Sequence, residues 1–566
     1  MSDLDAAIRS RLEAWTADRV ADRLWSKDGS LWAASGKDPA AVAAWLGWLD
    51  LPEAMSSRAA ELEHIARDVR EDGYRRAAVL GMGGSSLAPE LFSRIFGWAG
   101  GSAGSGSASA DGLELRICDS THPDAVRGFR SWAAEQRTLF MVSSKSGSTT
   151  EPNAFQAAMG EIAPALDFVA VTDPGTSLAE LARAQEFRAI IDAPPDVGGR
   201  YSALTVFGLV PAALAGVDVA GLLERARRMA EATREPDATA NPGLRLGAAI
   251  GEAALAGRDK LTFFTSHRLA ALGDWAEQLI AESTGKAGTG IVPIVGEAPR
   301  EPDAYADDRA FVIVRLADDA DPQLEAFGDA LEAGGHPVER IVLADPLDIG
   351  AELVRWEVAT AVAGIVLGID PFDQPNVQES KDATTALLDA FAARGVLPQP
   401  MPLVSEPGVA VTADPAALGD APVSVDGAVA QLVGLVRPGV DYLAVLAYLP
   451  KDAEVEARLQ RIRGRIGEAT GAATTLGFGP RLLHSTGQLH KGGPNTGVFL
   501  QLTADPSKDL PIPGWEETFG TLIAAQALGD LAALQKRGRR ALRLHFNEME
   551  MGLERLQAVV GAALSV

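Results

Sequence analysis

A chain of 566 residues is longer than one core usually supports, so two subdomains are the default expectation. Hydrophobic residues make up 47% and charged residues 22%, the balance of an ordinary globular protein, and a net charge of −25 excludes nucleic acid or an anionic membrane surface as partner, because counterion release needs clustered Lys and Arg. The single cysteine, Cys118, excludes an intramolecular disulfide and fits a reducing, cytoplasmic setting.

Residues 1–70 read as amphipathic helices with tryptophans at 15, 25, 32, 45 and 48 as packing anchors. Met1–Trp15 alternates charge with small residues and has no apolar stretch, so no secretory signal is expected. From residue 71 to about 230 short apolar strands alternate with helical segments: Ala77–Leu80, Leu113–Cys118, Leu139–Val142, Phe168–Val171 and Ala189–Ile191. That alternation predicts a mostly parallel sheet covered on both faces, with ligands at the carboxyl ends of its strands. The Gly/Ser/Ala tract at 99–112 reads as a flexible surface insertion. Tyr201–Val217 is the longest uncharged run; it contains Pro211 and falls short of the ~20 apolar residues of a spanning helix, so it is expected to be a buried helix. A Pro/Gly-bearing stretch, ATREPDATANPG, places a domain boundary near 220–245. A second set follows over 245–566, with strands at Lys260–Phe264, Ala310–Val314, Arg340–Leu343, Val409–Thr412, Tyr442–Ala447 and Val498–Leu502.

Two loops at strand ends carry the first chemical signal. Ala77–Leu80 runs into Gly81-Met82-Gly83-Gly84-Ser85-Ser86, with a helix beginning near Pro89. Leu139–Val142 runs into a loop with six hydroxyls in eight positions, Ser143, Ser144, Ser146, Ser148, Thr149 and Thr150, ahead of a helical stretch at Ala154–Met159. Backbone N–H groups and hydroxyls converging at a helix N-terminus favour a phosphate. An acidic chain must draw that phosphate in with local charge, and Lys145, Arg200, Lys286, Lys381 and Lys491 all lie within or beside Gly-rich or polar motifs.

Six motifs together resemble the glucose-6-phosphate isomerase family of the sugar-isomerase (SIS) fold: LGMGGSS at 80–86, SSKSGSTTEP at 143–152, GGRYSALTVFGLVP at 198–211, WAEQLIAESTGK at 275–286, GIDPFDQPNVQESK at 368–381 and LLHSTGQ at 482–488. The resemblance spans roughly residues 75–500 and implies an α/β fold of two SIS subdomains, each a mostly parallel sheet flanked by helices in a three-layer αβα sandwich, with a helical N-terminal extension. One feature departs from the family pattern. The lysine motif normally closes the chain, whereas here Lys381 precedes His484, as in the isomerase half of transaldolase/glucose-6-phosphate isomerase fusions. In the family the histidine reaches the site across a dimer interface, so the resemblance implies a homodimer with composite sites.

The resemblance also implies an aldose–ketose isomerisation through an enediol(ate). Glu282 would move the proton; on a helix it shares a face with Gln278, and Trp275 and Leu279 flank it and would desolvate it. His484 would open the sugar ring, with His490 six positions on as its competitor. Lys381 would assist at the ring oxygen and Arg200 would face the enediolate oxygen. The phosphate would meet Ser144, Lys145, Ser146 and Thr149, the sugar Gly84 and Ser85, and Gln278 a hydroxyl. No cofactor is expected: the seven histidines are dispersed, no metal-binding spacing occurs, and LGMGGSS does not fit a dinucleotide fingerprint. Two other readings stand beside this one, an isomerase that also accepts mannose 6-phosphate and a sugar-phosphate-binding regulator without turnover. A transaldolase is not expected, since no series of eight strand-helix repeats precedes the isomerase motifs.

Overall fold

The computed structural model describes residues 3–97, 112–319, 321–419 and 421–563; the tract at 99–112 lies, except for Gly112, outside them. Fifteen strands form three sheets among the described residues. The first contains β1 (Arg76–Gly81), β2 (Glu114–Cys118), β3 (Thr138–Ser143), β4 (Phe168–Thr172) and β5 (Ala189–Asp192), all parallel, in the order β2-β1-β3-β4-β5. These are the five expected strands. β1 and β3 are buried along their whole length, as near-continuous apolar runs require in a parallel sheet covered on both faces.

The strands expected as one second set divide into two sheets. β6 (Lys260–Thr265), β7 (Val292–Ile294), β8 (Arg309–Leu316) and β9 (Val338–Leu343) run parallel in the order β7-β6-β8-β9. β10 (Val404–Glu406), β11 (Val409–Ala413), β12 (Tyr442–Tyr448), β13 (Ala473–Phe478), β14 (Gly497–Ala504) and β15 (Arg540–Phe546) form a mixed sheet in the order β10-β11-β15-β14-β12-β13, antiparallel only at β10–β11 and β11–β15. A buried ionic seam joins the two. Glu297 accepts from Arg309 at 2.9 and 3.2 Å and from the Thr474 hydroxyl at 3.2 Å, and Arg463 donates to the Val295 carbonyl at 2.7 Å.

The N-terminal helices share one hydrophobic core with the first and second sheets, running from Leu12 to Phe372, while the third sheet has its own, from Val404 to Val560. Trp15, Trp32 and Trp48 are buried anchors; Trp25 is partly buried and Trp45 is 39% exposed. Trp48 stacks on Tyr201 with centroids 5.1 Å apart, and the Trp32 indole donates to the Ala361 carbonyl at 2.8 Å. Tyr201–Val217 holds the expected buried helix, Val206–Leu214.

The stretch ATREPDATANPG is the loop 233–241 with one helical residue before it and two after it, joining two helices. Val219–Ala232 is helical, Asn241 caps the next helix by accepting from the Gly243 and Leu244 amides, and Pro242 takes its first position. The Asn-Pro-Gly sequence that suggests a linker is a helix start, because Pro lacks an N–H that a first-turn residue does not need. Among the described residues no helix is long and apolar enough to cross a membrane.

Candidate active site

β1 and β3 are neighbours at the point where the strand order reverses, with Gly81 opposite Ser143, so the two predicted loops leave the sheet side by side. The first turns on Gly83, whose φ of 54° suits glycine. A Cβ there would stand 2.8 Å from the Gln278 amide nitrogen and 3.0 Å from the His484 carbonyl oxygen. At Gly84 it would stand 1.9 Å from the Gly199 carbonyl oxygen. These glycines let the Gly84–Phe96 helix, with Ser85 in its first turn, press against the other motifs; it starts five residues before the expected Pro89, which lies inside it.

In the second loop the buried Ser144 hydroxyl donates to Thr149 Oγ1 at 2.9 Å, and Thr149 takes the N-cap of the Thr150–Met159 helix. Lys145 turns away. Its ammonium donates to Asp173 Oδ2 at 2.6 Å and to the Pro194 carbonyl at 3.1 Å, so the structure gives it a carboxylate partner instead of the loop. A cavity of about 280 Å³ lies over the loop, lined by Ser146, Thr149, Glu151, Lys381 and His484 among others. Lys381 is exposed and reaches it from the Val377–Arg394 helix.

Glu282 and Gln278 lie on the Ala270–Thr284 helix, and both are buried. The Gln278 amide group donates to Glu282 Oε2 at 3.2 Å and to the His484 carbonyl at 2.7 Å, so the side chain expected to hold a sugar hydroxyl ties the carboxylate to the histidine loop. Arg200 Nη1 lies 3.5 Å from Glu282 Oε1. Its guanidinium is otherwise engaged, donating to the Ser283 hydroxyl at 2.8 Å, the Gln374 amide oxygen at 2.8 Å and the Pro371 and Asp373 carbonyls at 2.5 and 3.0 Å. The buried Lys286 of the same motif bonds Asp373 Oδ1 at 2.9 Å; burial, with Arg200 nearby, pushes its ammonium down to about 8.

His484 Nε2 lies 3.1 Å from Glu151 Oε1, which also accepts from Gln526 at 2.7 Å; the Gln526 oxygen accepts in turn from Thr121 at 2.7 Å. Burial alone would raise the Glu151 carboxyl, but the facing His484, with Lys381 behind it, outweighs this and holds it below the ordinary value. A carboxylate there fixes the orientation of the ring. His490 is different: it is buried beside Phe499 and Tyr442, at 5.0 and 6.2 Å, and burial pushes its ring well below the ordinary value. It packs as an uncharged core residue.

One buried amide joins three motifs. Gln488 donates to the Gly285 carbonyl at 2.9 Å and to Asn376 Oδ1 at 2.8 Å, and accepts from the Asn376 backbone at 2.9 Å. Gly285 is required for this approach, since a Cβ would stand 2.4 Å from the Leu489 Cα.

The 404–546 unit folds back and sets the His484 turn against Glu151 and Gln278 of the same chain, an arrangement that, unlike the expected histidine from a second subunit, needs no partner. Glu151, Gln526 and Gln374 carry no local signal in the sequence that marks them as site residues. Glu151 lies within a quoted motif, but a glutamate in a helix's first turn reads as complementing the helix dipole, and Gln526 is 375 residues away from it. Among the described residues no group of three or more His, Cys, Asp or Glu side chains could hold a metal ion.

Parallel αβα units whose hydroxyl loops meet a carboxylate, an arginine and a carboxylate-paired histidine define a sugar-phosphate isomerase of the SIS type. No protein-family model matches the chain. It is 30% identical over 387 residues to the glucose-6-phosphate isomerase of Rubrobacter xylanophilus, covering 60% of this chain and 88% of that protein, and 28% identical over 410 residues to that of Carboxydothermus hydrogenoformans, covering 61% and 85%. Its fold matches a solved glucose-6-phosphate isomerase from Chlamydia trachomatis with a TM-score of 0.53 at 20% identity, over 70% of this chain and 88% of that one. A hypothetical protein of Thermus thermophilus matches with a TM-score of 0.57 at 24% identity, over 66% and 96%. The chain belongs to the glucose-6-phosphate isomerase family.

Proposed function

We propose that this chain interconverts glucose 6-phosphate and fructose 6-phosphate through an enediol(ate). The observation that carries the reading is the Gln278 amide, which donates to both Glu282 and the His484 carbonyl while the His484 ring faces Glu151 beside the hydroxyl-lined cavity. The phosphate sits over Ser146 and Thr149, with Ser144 supporting Thr149 and Lys381 supplying charge. His484 gives a proton to the ring oxygen as the C1–O bond breaks and the O1 proton passes to water, leaving an open aldehyde. Glu282 takes the C2 hydrogen as a proton; its electron pair forms the C1–C2 double bond as the C1 carbonyl becomes an oxyanion beside Arg200. The O2 hydroxyl proton passes to O1, the electron pair on O2 forms the C2 carbonyl, and the C1–C2 pair takes the proton back from Glu282 at C1, so atoms and charge balance. Arg200 stabilises the oxyanion with its delocalised positive charge.

This reading includes the cytoplasmic homodimer that the resemblance implies, with each site built within one chain. The test is a coupled assay of the purified protein on fructose 6-phosphate and mannose 6-phosphate side by side. Turnover of the first alone supports the reading, turnover of both widens it to a dual isomerase, and binding without turnover of either replaces it by a regulator.

A further inference from the structure

Three residues before His484, Arg481 opens the short turn Arg481–His484. Its side chain is 12% exposed and meets three carboxylates from three elements. Nη1 donates to Asp119 Oδ2 at 2.8 Å, just beyond β2, and to Glu90 on the Gly84–Phe96 helix; Nη2 stands 4.0 Å from Asp274 Oδ2. Asp274 belongs to the helix that carries Gln278 and Glu282, and the three are spaced by four, so they form one stripe on one face. Asp274 faces Arg481, Gln278 holds the His484 carbonyl, and Glu282 follows one turn on. The histidine turn is thus laid along the Glu282 helix in a fixed register, pinned at both ends.

We propose that Arg481 is a positioning residue for ring opening, clamping the His484 turn against the Glu282 helix through Asp274 and against the first sheet's unit through Asp119 and Glu90. The inference rests on the isomerase reading above. Arg481 touches no reacting atom; it acts through the placement of His484. Its planar fork suits the task, since one end serves Glu90 and Asp119 while the other reaches Asp274, a span that a lysine ammonium cannot cover. Burial alone would raise the Glu90 carboxyl, but Arg481, with Lys451 and Arg94, holds it well below the usual carboxylate range, whereas burial keeps the Asp274 carboxyl above its ordinary value despite the facing Arg481.

The test uses Arg481→Lys, which keeps the charge that Glu90 and Asp119 need and removes the arm toward Asp274, and Asp274→Asn, which removes the same contact from a side chain 38% exposed. Ring opening is read on its own as anomer interconversion of glucose 6-phosphate in a Glu282→Gln background, where proton transfer at C2 is blocked. Misplacing a catalytic group by about 1 Å costs up to ~100-fold, and a partial loss of about 5- to 10-fold is expected in kcat and in anomer interconversion alike, with KM within about two-fold. The double variant should be no slower than Arg481→Lys, because both changes cut one contact. The downfield ring N–H signal of His484 should weaken in step. Folded variants with kcat and anomer interconversion within two-fold of their parents, or effects that multiply in the double variant, overturn the clamp. If Arg481→Lys does not fold, Asp274→Asn decides alone by the same two rates. A parent protein that fails to isomerise fructose 6-phosphate overturns the isomerase reading instead; an active parent whose His484→Ala variant loses ring opening while the clamp variants do not overturns only this inference.

Discussion

Mixing Glu282→Gln protein with His484→Ala protein should restore no activity. The His484 carbonyl accepts from Gln278 of its own chain at 2.7 Å, Gln278 donates to Glu282 at 3.2 Å, and the His484 ring stands 3.1 Å from Glu151 of the same chain. Every site in a mixed dimer would therefore lack one of the two residues. Loss of a positioned acid or base costs at least ~10², so each variant alone, and the mixture, should retain at most ~1% of the parent rate. Were the histidine supplied by the partner, one of the two sites in each mixed dimer would be whole. With half of the dimers mixed after random exchange, the mixture would then recover roughly a quarter of the parent activity, on the order of 25-fold above the other outcome. The assay couples glucose 6-phosphate formation from fructose 6-phosphate to a dehydrogenase, on two differently tagged variants whose co-purification reports exchange. A chain that does not dimerise gives the same null result, since its site is complete alone. Recovery near a quarter would refute the single-chain site.

Other outcomes follow from the same contacts. Lys145→Ala should leave affinity for 6-phosphogluconate within about two-fold, because an ammonium already paired to Asp173 has little to give a phosphate; a tenfold loss by calorimetry would show that the lysine swings to the ligand. Thr149→Ala should raise KM about tenfold at similar kcat, the effect of one hydrogen bond to a charged group of ~1.5 kcal/mol, and initial-rate kinetics with unchanged KM would move the phosphate elsewhere. Gly285→Ala should destabilise by ~1–3 kcal/mol in urea unfolding, since the methyl meets the Leu489 Cα at 2.4 Å; an unaltered midpoint would contradict the close approach. For pH, burial and then Asp274 push the Glu277 carboxyl from its ordinary 4.5 up to about 8, so between those values the folded chain holds one more proton than the unfolded chain. The stability it contributes is complete below 4.5 and is lost as pH rises through 8, with a slope of at most ~1.4 kcal/mol per pH unit. Glu277→Gln should flatten that slope in unfolding series from about pH 5 to 8, and an unchanged slope would assign it to other groups.

Apolar runs flanked by loop residues made β1, β3 and β4 legible, because parallel strands buried on both faces must be apolar throughout. Where burial is one-sided or the strand is short, that signal fails. β7 and β10 have three residues each; β13 carries Thr474 and Thr475, and β15 alternates Arg540, Arg543 and His545 with apolar residues, so neither shows a continuous run. The division of the second half into two sheets was hidden for the same reason: β13 faces the seam with the second sheet, and β15 joins the antiparallel β11 to the parallel strands. The site was legible as motifs but not as contacts. A serine-rich loop announces a phosphate cradle locally, whereas the carboxylate that orients His484 lies 333 residues before it and those that hold Arg481 lie 391 and 362 before it.

The same separations show that the site depends on contacts between loop ends rather than on the order of its motifs. The groups are held together by hydrogen bonds between loop ends, and a hydrogen bond is indifferent to the order in which the chain visits its partners. Gln488 bonds Gly285 and Asn376 across 203 and 112 residues, Gln278 bonds the His484 carbonyl across 206, and Arg200 grips the Pro371–Gln374 turn across 171 to 174. A strand-and-helix unit that keeps its loop end can therefore be reached later in the chain and still present its histidine at the same place. In this chain the third sheet, with its separate core and its buried seam at Glu297 and Arg463, holds the unit that carries the histidine turn against the Glu282 helix.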